Sequence, residues 1–366
     1  MSAERKNKVV VYTLILFFLI FSLWAQIRRE DDFSDSERRT LQQRPSASFE
    51  NILSGEFMKN FEGYTLDQFP MRDRFRTLKA VFSLYVLRQK DNNDIYLADG
   101  YVSKLEYPMK EDSLLRATQR FSYVYEKYLK DTGVKVYFSI IPDKNYYLAK
   151  QNGYPLMDYP LLYEFVRERV SFAEYIDITG QLSPDDFYKT DTHWRQEKIL
   201  SVAKLLGEAM DTDVEAEYEL KTLDHPFYGV YYGQSALPLP AEEIHYLTNE
   251  KLENCMVYDY QNDRQTEIYD MEKAYGKDPY EMFLSGPLPL LTIENPSAVS
   301  SKELILFRDS FGSSIAPLLA EGYTKITLVD IRYMHPDFLG KYIEFTDQDV
   351  LFLYSTLVLN NGETIK

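Results

Sequence analysis

The chain begins with a long apolar run that carries no formal charge. This run extends from Val9 to Ile27 and follows three basic residues within the first eight positions. About 20 apolar residues are needed to cross the hydrocarbon core of a bilayer. The run closes with Trp24 and Arg28 follows it, whereas the apolar part of a cleavable signal peptide is shorter and ends on small residues. We therefore predict an uncleaved signal-anchor, with residues 1–27 as a cytoplasmic tip and a transmembrane segment. A buried core helix is the alternative, which the basic flank disfavours.

Residues 28–90 divide into a polar part and a helical part. The polar part, as far as about Phe49, is charged and lacks periodic apolar positions, which predicts a juxtamembrane stalk. Two helical stretches follow, and Pro70 separates them. The second stretch repeats apolar residues at helical spacing, namely Phe75, Leu78, Phe82, Tyr85 and Val86.

Residues 91–366 alternate between strand-like and helix-like segments. A hairpin with Asp99-Gly100 as its turn comes first, and a helix over about 111–129 precedes a strand over 134–141. A further amphipathic helix covers 195–210. The last part of the chain alternates three strands with two helices, over 303–307, 313–322, 325–331, 335–343 and 350–359. Consecutive β-α-β units of this kind predict an α/β fold with a parallel sheet.

The region from about 217 to 296 interrupts this alternation. It is irregular, rich in tyrosine and punctuated by proline, as in HPFYGVYYGQSALPLP and SGPLPLL. We interpret it as an insertion in a catalytic domain that spans 91–366, with a β-hairpin near residues 254–271.

Charge and cysteine content exclude several classes of protein. The 366 residues include 57 acidic and 41 basic side chains, which gives a net charge of −16. Such a chain repels a phosphate backbone, so nucleic-acid binding is disfavoured. Cys255 is the single cysteine, and the four histidines are scattered. A disulfide framework and a Cys-rich zinc site are therefore excluded, and we expect neither a metal nor a cofactor.

A first candidate site lies where the strand over 303–307 gives way to a helix. The sequence there is Arg308-Asp309-Ser310-Phe311-Gly312. A serine in this turn lies at the carboxyl end of the sheet, where open α/β sheets bind ligands. The following helix N-terminus offers N–H groups to an oxyanion. Ser310 is therefore a candidate nucleophile. The alternative is that Asp309 or Ser310 only caps the helix.

A second candidate site is Asp191-Thr192-His193-Trp194, just before the amphipathic helix over 195–210. A serine nucleophile needs a general base, and histidine titrates near neutral pH. Asp191, two positions before His193, has the reach to bind the imidazole Nδ1–H and fix its tautomer. An Asp-x-His pair also occurs as a helix cap or a surface histidine, and that alternative stays open on sequence.

The two motifs together resemble a known family. The chain is similar to the DHHW proteins in Asp191-Thr192-His193-Trp194, in Arg308-Asp309-Ser310-Phe311-Gly312 and in the strand end Val329-Asp330-Ile331-Arg332-Tyr333. The resemblance extends to the N-terminal anchor, to SERRTLQQRP and LDQFPMRDRF, to the IPDKN loop and to the turn at 232–235, so it covers most of the chain. DHHW proteins belong with the alginate O-acetylation proteins, whose catalytic domain is a variant of the SGNH hydrolase fold. The resemblance thus implies an SGNH hydrolase-like parallel sheet flanked by helices.

This resemblance implies a role for individual residues. It makes Ser310 the acyl-accepting nucleophile, His193 its base and Asp191 the orienting carboxylate. The Ser310 backbone N–H contributes to the oxyanion hole, with Gly233 and Gln234 as further candidates. The chain departs from the expected pattern in three ways: it has Arg-Asp-Ser where ordinary SGNH enzymes have Gly-Asp-Ser, it has Thr192 where the motif has its first histidine, and its Asp and His precede the serine. These departures favour the transferase relatives over secreted lipases.

Three more residues follow predicted strand ends and are candidates for holding a sugar hydroxyl or carboxylate. They are Lys144, Arg332 and Tyr333. A solvated loop is the alternative for Lys144, and a pair with a neighbouring acid is the alternative for Arg332.

The predicted function is that of a single-pass membrane protein with an extracytoplasmic O-acetyltransferase domain. It acetylates a cell-surface or secreted polysaccharide through an acyl-serine, and a multi-spanning membrane O-acyltransferase is the expected acetyl supplier by analogy. The first alternative is an acetyl esterase with the same three residues, because both activities pass through acyl-serine. The second alternative is a non-catalytic surface assembly protein.

Overall fold

The computed structural model describes residues 3–366, which form two units. The N-terminal unit extends to Asn93 and also includes Tyr232–Leu239. The larger unit comprises Asp94–Tyr231 and Pro240–Lys366. The boundary at Asn93 lies close to the predicted start of the catalytic domain at residue 91.

The helices are α1 (Ala3–Ile27), α2 (Phe49–Leu53), α3 (Glu56–Asp67), α4 (Arg72–Val81), α5 (Glu111–Val124), α6 (Lys144–Leu148), α7 (Tyr159–Arg169), α8 (Leu200–Ala209), α9 (Val230–Ser235), α10 (Glu250–Glu253), α11 (Met271–Ala274), α12 (Gly312–Leu319) and α13 (Thr356–Leu359). Single π-helical turns, Phe82–Val86 and Tyr125–Leu129, continue α4 and α5.

The strands are β1 (Phe33–Ser34), β2 (Arg39–Thr40), β3 (Ile95–Ala98), β4 (Tyr101–Lys104), β5 (Lys135–Ile141), β6 (Glu174–Tyr175), β7 (Glu219–Thr222), β8 (His245–Thr248), β9 (Met256–Asp259), β10 (Arg264–Thr266), β11 (Leu290–Glu294), β12 (Glu303–Arg308), β13 (Lys325–Val329) and β14 (Asp349–Ser355).

The apolar run at the N-terminus forms helix α1, none of whose side chains is buried. Its 25 residues are long and apolar enough to cross a membrane. At 1.5 Å per residue the helix is about 37 Å long, which exceeds the hydrocarbon core of about 30 Å. Within the N-terminal unit the Phe21 ring stacks on Phe69 with centroids 5.2 Å apart.

The segment after α1 is more ordered than a bare stalk. Arg39 binds the Asp67 carboxylate at the end of α3, with 2.5 Å between Nη2 and Oδ1. Arg72, at the start of α4, forms an ion pair with Glu37. The hydrogen bond from Arg39 lowers the pKa of Asp67 to about 2. The segment after α1 lacks periodic apolar residues and therefore forms no amphipathic helix. Ion pairs of its charged side chains attach it to α3 and α4 instead.

The larger unit is built on an eight-stranded sheet in the order β10-β9-β11-β13-β12-β14-β5-β6. The five strands from β13 to β6 run parallel, whereas β11, β9 and β10 pair in antiparallel fashion. This arrangement confirms the predicted α/β fold with a parallel sheet. Because the side chains of a strand alternate between faces, Leu351 and Leu353 of β14 join one core while Phe352 and Tyr354 join the other.

Helices cover both faces of this sheet. The core that contains Leu351 also takes in Val202 of α8 and Ile315 of α12. The opposite core takes in Phe121 of α5 and Val166 of α7. The predicted hairpin at Asp99-Gly100 is confirmed as β3–β4, and both turn residues have positive φ, at 52° and 83°.

The structure differs from the sequence analysis in the region expected to be an insertion. Strand β11 lies inside the central sheet between β9 and β13, so the sheet includes part of 217–296. The predicted hairpin near 254–271 is β9–β10, which extends that sheet. Pro287 and Pro289 precede β11 and made the stretch look like a loop. Near the C-terminus, Pro336–Lys341 is a 3-10 helix, and the last strand ends at Ser355 where α13 begins.

Candidate active site

Ser310 lies in the turn between β12 and α12, at the carboxyl end of the parallel strands. The preceding residue, Asp309, is fully buried. Its carboxylate accepts the Phe311 N–H at 3.0 Å and the Ser355 N–H at 2.8 Å. Because Ser355 ends β14, Asp309 fixes the turn to the neighbouring strand. The predicted position of Ser310 between a strand and a helix is therefore correct, and Asp309 acts on the turn and on β14.

The structure brings His193 and Asp191 to this serine. His193 Nε2 lies 2.8 Å from Ser310 Oγ, and His193 Nδ1 lies 2.6 Å from Asp191 Oδ1. Asp191 Oδ1 also accepts the His193 N–H at 3.0 Å, while Oδ2 accepts the Val230 N–H at 2.7 Å. The carboxylate is thus held by two backbone donors and faces the imidazole in one orientation.

The Asp191 carboxylate determines which atom donates and which accepts in the two hydrogen bonds that link Asp191, His193 and Ser310. An ionised carboxylate only accepts hydrogen bonds, so His193 Nδ1 carries the hydrogen and donates a hydrogen bond to Asp191 Oδ1. The opposite nitrogen, Nε2, then presents a lone pair to the Ser310 hydroxyl. This is the arrangement in which a serine hydroxyl transfers its proton to histidine as it attacks a carbonyl.

Aromatic side chains fix the imidazole plane. The Tyr280 ring stacks on His193 with centroids 3.9 Å apart and an angle of 12° between the planes. Phe311 lies against another side of the imidazole, with centroids 4.9 Å apart. Burial raises the pKa of the Tyr280 hydroxyl, which therefore stays neutral beside the histidine. The stack restricts rotation of the imidazole away from Ser310.

Ser314 links the histidine loop to helix α12. Its hydroxyl accepts the Trp194 indole N–H at 2.8 Å and forms a 2.9 Å hydrogen bond with the Tyr280 hydroxyl. The Ser314 carbonyl accepts the Gln196 amide at 2.8 Å. The residue after His193 and the ring that covers it are thus both attached to the helix that follows the serine.

Lys144 supports the loop before Asp191 from below. It is buried, and its Nζ donates to the carbonyls of Val102, Tyr188 and Lys189 at 2.5, 2.9 and 3.1 Å. Burial lowers the pKa of Lys144 to about 7, and the Asp191 charge partly opposes that effect. The Lys144 ammonium therefore binds main-chain oxygens of the protein. It lies neither in a solvated loop nor at a surface where it could hold a sugar, which are the two placements expected from the sequence.

A carboxylate holds the same loop from the other side. Glu242 accepts the backbone N–H groups of Lys189 and Thr190, each at 2.6 Å, and the Thr190 hydroxyl at 2.5 Å. Gly229 packs so closely that a Cβ at this position would lie 2.2 Å from the Thr190 carbonyl oxygen. Only glycine fits there, and the contact places Val230 where its N–H reaches Asp191.

Arg332 and Tyr333 occupy different environments at the end of β13. Arg332 binds Asp330 through two nitrogens, at 2.9 Å to Oδ1 and 2.7 Å to Oδ2, so the pairing with a neighbouring acid is what the structure shows. Tyr333 is half exposed. Arg308 is fully buried, lies 3.7 Å from Asp330 and has a lowered pKa because of that burial. Its guanidinium therefore belongs to a buried cluster with Asp330.

Gly233 and Gln234 belong to the N-terminal unit. A Cβ on Gly233 would lie 1.6 Å from the Ser36 carbonyl oxygen, and the Gly233 carbonyl accepts a 2.8 Å hydrogen bond from Arg76. The Gln234 carbonyl accepts the Asn93 amide at 3.4 Å. Close packing against Ser36 therefore explains why residue 233 is a glycine. That Gly233 and Gln234 contribute to an oxyanion hole stays a prediction.

Several residues of the site carried no signal in the sequence. Tyr280, Glu242 and Gly229 lie in the irregular region and are 36 to 87 positions away from the histidine in the chain. Only the tertiary structure brings them to His193 and Thr190. Among residues 3–366 no group of three or more His, Cys, Asp or Glu side chains is placed to hold a metal ion.

Comparison with known protein families and with curated proteins finds no match. Solved structures do match. A DHHW family protein from Eubacterium siraeum has a TM-score of 0.61 and 21% identity, over 75% of this chain and 95% of its own. PatB1 from Bacillus cereus, solved with a sulfonyl adduct, has a TM-score of 0.56 and 18% identity, over 72% of this chain and 95% of its own. At such identities the similarity concerns the fold. The chain therefore has the α/β fold of the DHHW family protein and of PatB1, which is the fold that the resemblance of its motifs implies.

Proposed function

We propose that this chain is a membrane-anchored O-acetyltransferase whose catalytic domain lies outside the cytoplasm and acetylates a cell-surface or secreted polysaccharide. One observation carries the proposal. Asp191, His193 and Ser310 form a continuous chain of hydrogen bonds, of 2.6 and 2.8 Å, at the carboxyl end of a parallel sheet. This geometry suits acyl transfer through a serine ester.

The first half of the reaction forms the acyl-serine. Ser310 Oγ attacks the carbonyl carbon of the acetyl donor while His193 Nε2 accepts the hydroxyl proton. Asp191 stabilises the imidazolium that results. The Ser310 N–H is the donor that we assign to the negative charge on the carbonyl oxygen. When the intermediate collapses, the bond to the donor breaks and His193 returns the proton to the leaving group.

The second half moves the acetyl group to the acceptor. A sugar hydroxyl attacks the acyl carbon and gives its proton to His193 Nε2. The ester bond to Ser310 then breaks, and Oγ recovers the proton from the imidazolium. An esterase differs in one respect only, because water replaces the sugar hydroxyl.

Helix α1 supports a reaction at a membrane, and the solved structure of PatB1 supports a reactive residue in this fold. Helix α1 is long and apolar enough to hold the enzyme at a membrane. A multi-spanning membrane O-acyltransferase that exports acetyl groups is the partner we propose as the source of the acetyl group. PatB1, which has the same fold, carries a sulfonyl adduct in one structure. Sulfonyl groups react with activated nucleophilic side chains, which agrees with a reactive residue in this fold.

The test measures acetyl transfer by the purified full-length chain in detergent. With an activated acetyl ester, Ser310→Ala and His193→Ala should each lower turnover by at least about 10²-fold, the smallest loss expected for a general base. The double variant should be no slower than either single variant, since such residues act as a unit. Ser201→Ala, on the exposed surface of α8, is the matched control and should keep wild-type turnover.

Wild-type turnover in Ser310→Ala would overturn the acyl-serine mechanism. An acetylated oligosaccharide, detected by mass spectrometry when acceptor is added, would identify the transferase. Release of acetate alone, at a rate that acceptor leaves unchanged, would assign the chain to the esterases.

A further inference from the structure

An apolar stripe in the N-terminal unit is exposed. Leu78, Phe82, Tyr85 and Val86 lie at helical spacing along α4 and its π-helical continuation. Each of these side chains is at least 49% exposed. Apolar residues at this spacing are typical of a helix that buries one face. Among the residues that the structure describes, this face remains open.

The stripe begins beside the helix that can span a membrane. Phe75, one turn before Leu78, contacts Phe17 and Phe21 of α1, with ring centroids 6.4 and 5.6 Å apart. Phe17 lies ten residues before the end of α1, which is about 15 Å along a helix that rises 1.5 Å per residue. The hydrocarbon core is about 30 Å thick. A residue that contacts Phe17 is therefore within reach of the lipid when α1 spans the bilayer.

The charge of this segment is opposite to that of the chain. Residues 71–90 carry six basic side chains and one acid, a net charge of +5, while the whole chain has −16. Arg72 and Arg76 form ion pairs with Glu37 inside the unit. Arg74, Lys79, Arg88 and Lys90 lie on the exposed surface. Basic side chains with apolar stems bind anionic lipid headgroups at an interface while their stems cover apolar groups.

We propose that Arg72–Leu87 is an interfacial helix that lies at the acyl-chain side of the headgroup boundary, beside the C-terminal half of α1, in the bilayer in which α1 is anchored. Leu78, Phe82 and Val86 face the acyl chains, and the exposed basic side chains bind anionic headgroups. The combination of an apolar stripe with a basic polar face is that of helices that lie in a membrane surface. The proposal rests on the anchor that forms part of the proposed function and is independent of the catalytic residues.

The test uses spin labels on the full-length chain in vesicles of phosphatidylcholine and phosphatidylglycerol. Labels are introduced one at a time at Leu78, Phe82 and Val86 in a Cys255→Ser background. Leu115 and Leu161, also exposed leucines but in the larger unit, are the matched control positions. Collisions with oxygen, which concentrates in lipid, and with a water-soluble nickel chelate measure the depth of each label.

We expect the three stripe positions to show more collisions with oxygen than with nickel, and both control positions to show the reverse. The preference should weaken when phosphatidylcholine alone forms the vesicles, because the basic side chains then lose their partners. Water-like collisions at the stripe would overturn the proposal and leave the face to a protein partner. Spin–spin broadening that disappears on dilution with unlabelled chain would overturn it in favour of a second copy. Acetyl transfer is not measured, so these outcomes are separate from those of the proposed function.

Discussion

At the scale of single residues, burial determines the charge of two groups in the larger unit. Glu106 is buried, and desolvation together with the Asp143 carboxylate raises its pKa to about 7. Lys144 is buried too, and desolvation lowers its pKa to about 7. Both groups therefore change charge near neutral pH in the folded protein. Each makes the free energy of unfolding depend on pH, over a different pH range.

The sign for Glu106 follows from its two pKa values. In the unfolded chain a glutamate loses its proton near pH 4.3, whereas in the folded protein Glu106 holds it until about pH 7. The folded state binds more protons in that interval, so the free energy of unfolding falls as pH rises from about 4.3 to 7. The same argument for Lys144 gives a rise in stability above pH 7, because the unfolded chain then binds the extra proton.

Glu106→Gln should therefore stabilise the protein at pH 8 and have little effect at pH 4.5. The gain has an upper value of about 4 kcal/mol, because the two pKa values differ by about 2.7 and each pKa unit corresponds to roughly 1.4 kcal/mol. Thermal unfolding of the full-length chain in detergent at the two pH values measures it. Glu363→Gln, at an exposed position, is the control. An equal change in Tm at both pH values would contradict a protonation effect.

At the scale of elements, the loop from Tyr188 to His193 owes its shape to contacts from distant parts of the chain. Lys144 holds two of its carbonyls, Glu242 holds its N–H groups, and the turn at Gly229 and Val230 contacts Thr190 and Asp191. The orientation of Asp191 is thus a property of packing between elements.

Gly229→Ala tests this dependence. The new Cβ would lie 2.2 Å from the Thr190 oxygen and 2.4 Å from the Asp191 nitrogen, so the loop must shift. We expect a loss of stability of about 1–3 kcal/mol, typical of overpacking, and a fall in acetyl-ester turnover as Asp191 loses the Val230 N–H. Gly180→Ala is the matched control, since a Cβ there meets nothing within 4 Å. Normal turnover in a folded Gly229→Ala variant would separate the loop from catalysis.

The same loop shows how far sequence reasoning extends. The strand and helix around Ser310 and the Asp-x-His pair are local patterns, and from them both halves of the site were located. Glu242 and Tyr280 act across long separations that no spacing encodes. The sequence does not predict strand β11, because Pro287 and Pro289 directly before it are typical of a loop. Local motifs therefore predict the residues of the site, whereas the residues that tertiary packing brings to them, such as Glu242 and Tyr280, cannot be predicted from the sequence.

At the scale of the whole molecule, the proposed anchor α1 defines the side of the membrane on which each part lies. Basic residues flank both ends of the apolar run, so their distribution only weakly decides the orientation. A polysaccharide substrate requires the larger unit to be outside the cytoplasm. Measuring on which side of the membrane the larger unit lies therefore tests the proposed polysaccharide substrate as well as the proposed anchor.

A cysteine at Glu363, in a Cys255→Ser background, should react with a membrane-impermeant thiol reagent in intact cells whose envelope admits it. Glu363 is exposed, whereas burial raises the pKa of the native Cys255 thiol to about 12 and makes that thiol a poor probe. Labelling only after lysis would place the larger unit in the cytoplasm and exclude an extracellular polysaccharide.

The order of strands in the sheet has a consequence for when the turn at Ser310 is completed as the chain folds. Strand β14, formed by residues 349–355, is inserted between β12 and β5 and hydrogen-bonds to both. It also supplies the Ser355 N–H that anchors the Asp309 carboxylate beside the serine. While the chain is being synthesised from its N-terminus, the parallel sheet lacks its middle strand until residue 355 has been added and released. The turn that holds Ser310 is therefore completed only when β14 is in place, and a chain cut short before residue 355 lacks the N–H that fixes Asp309.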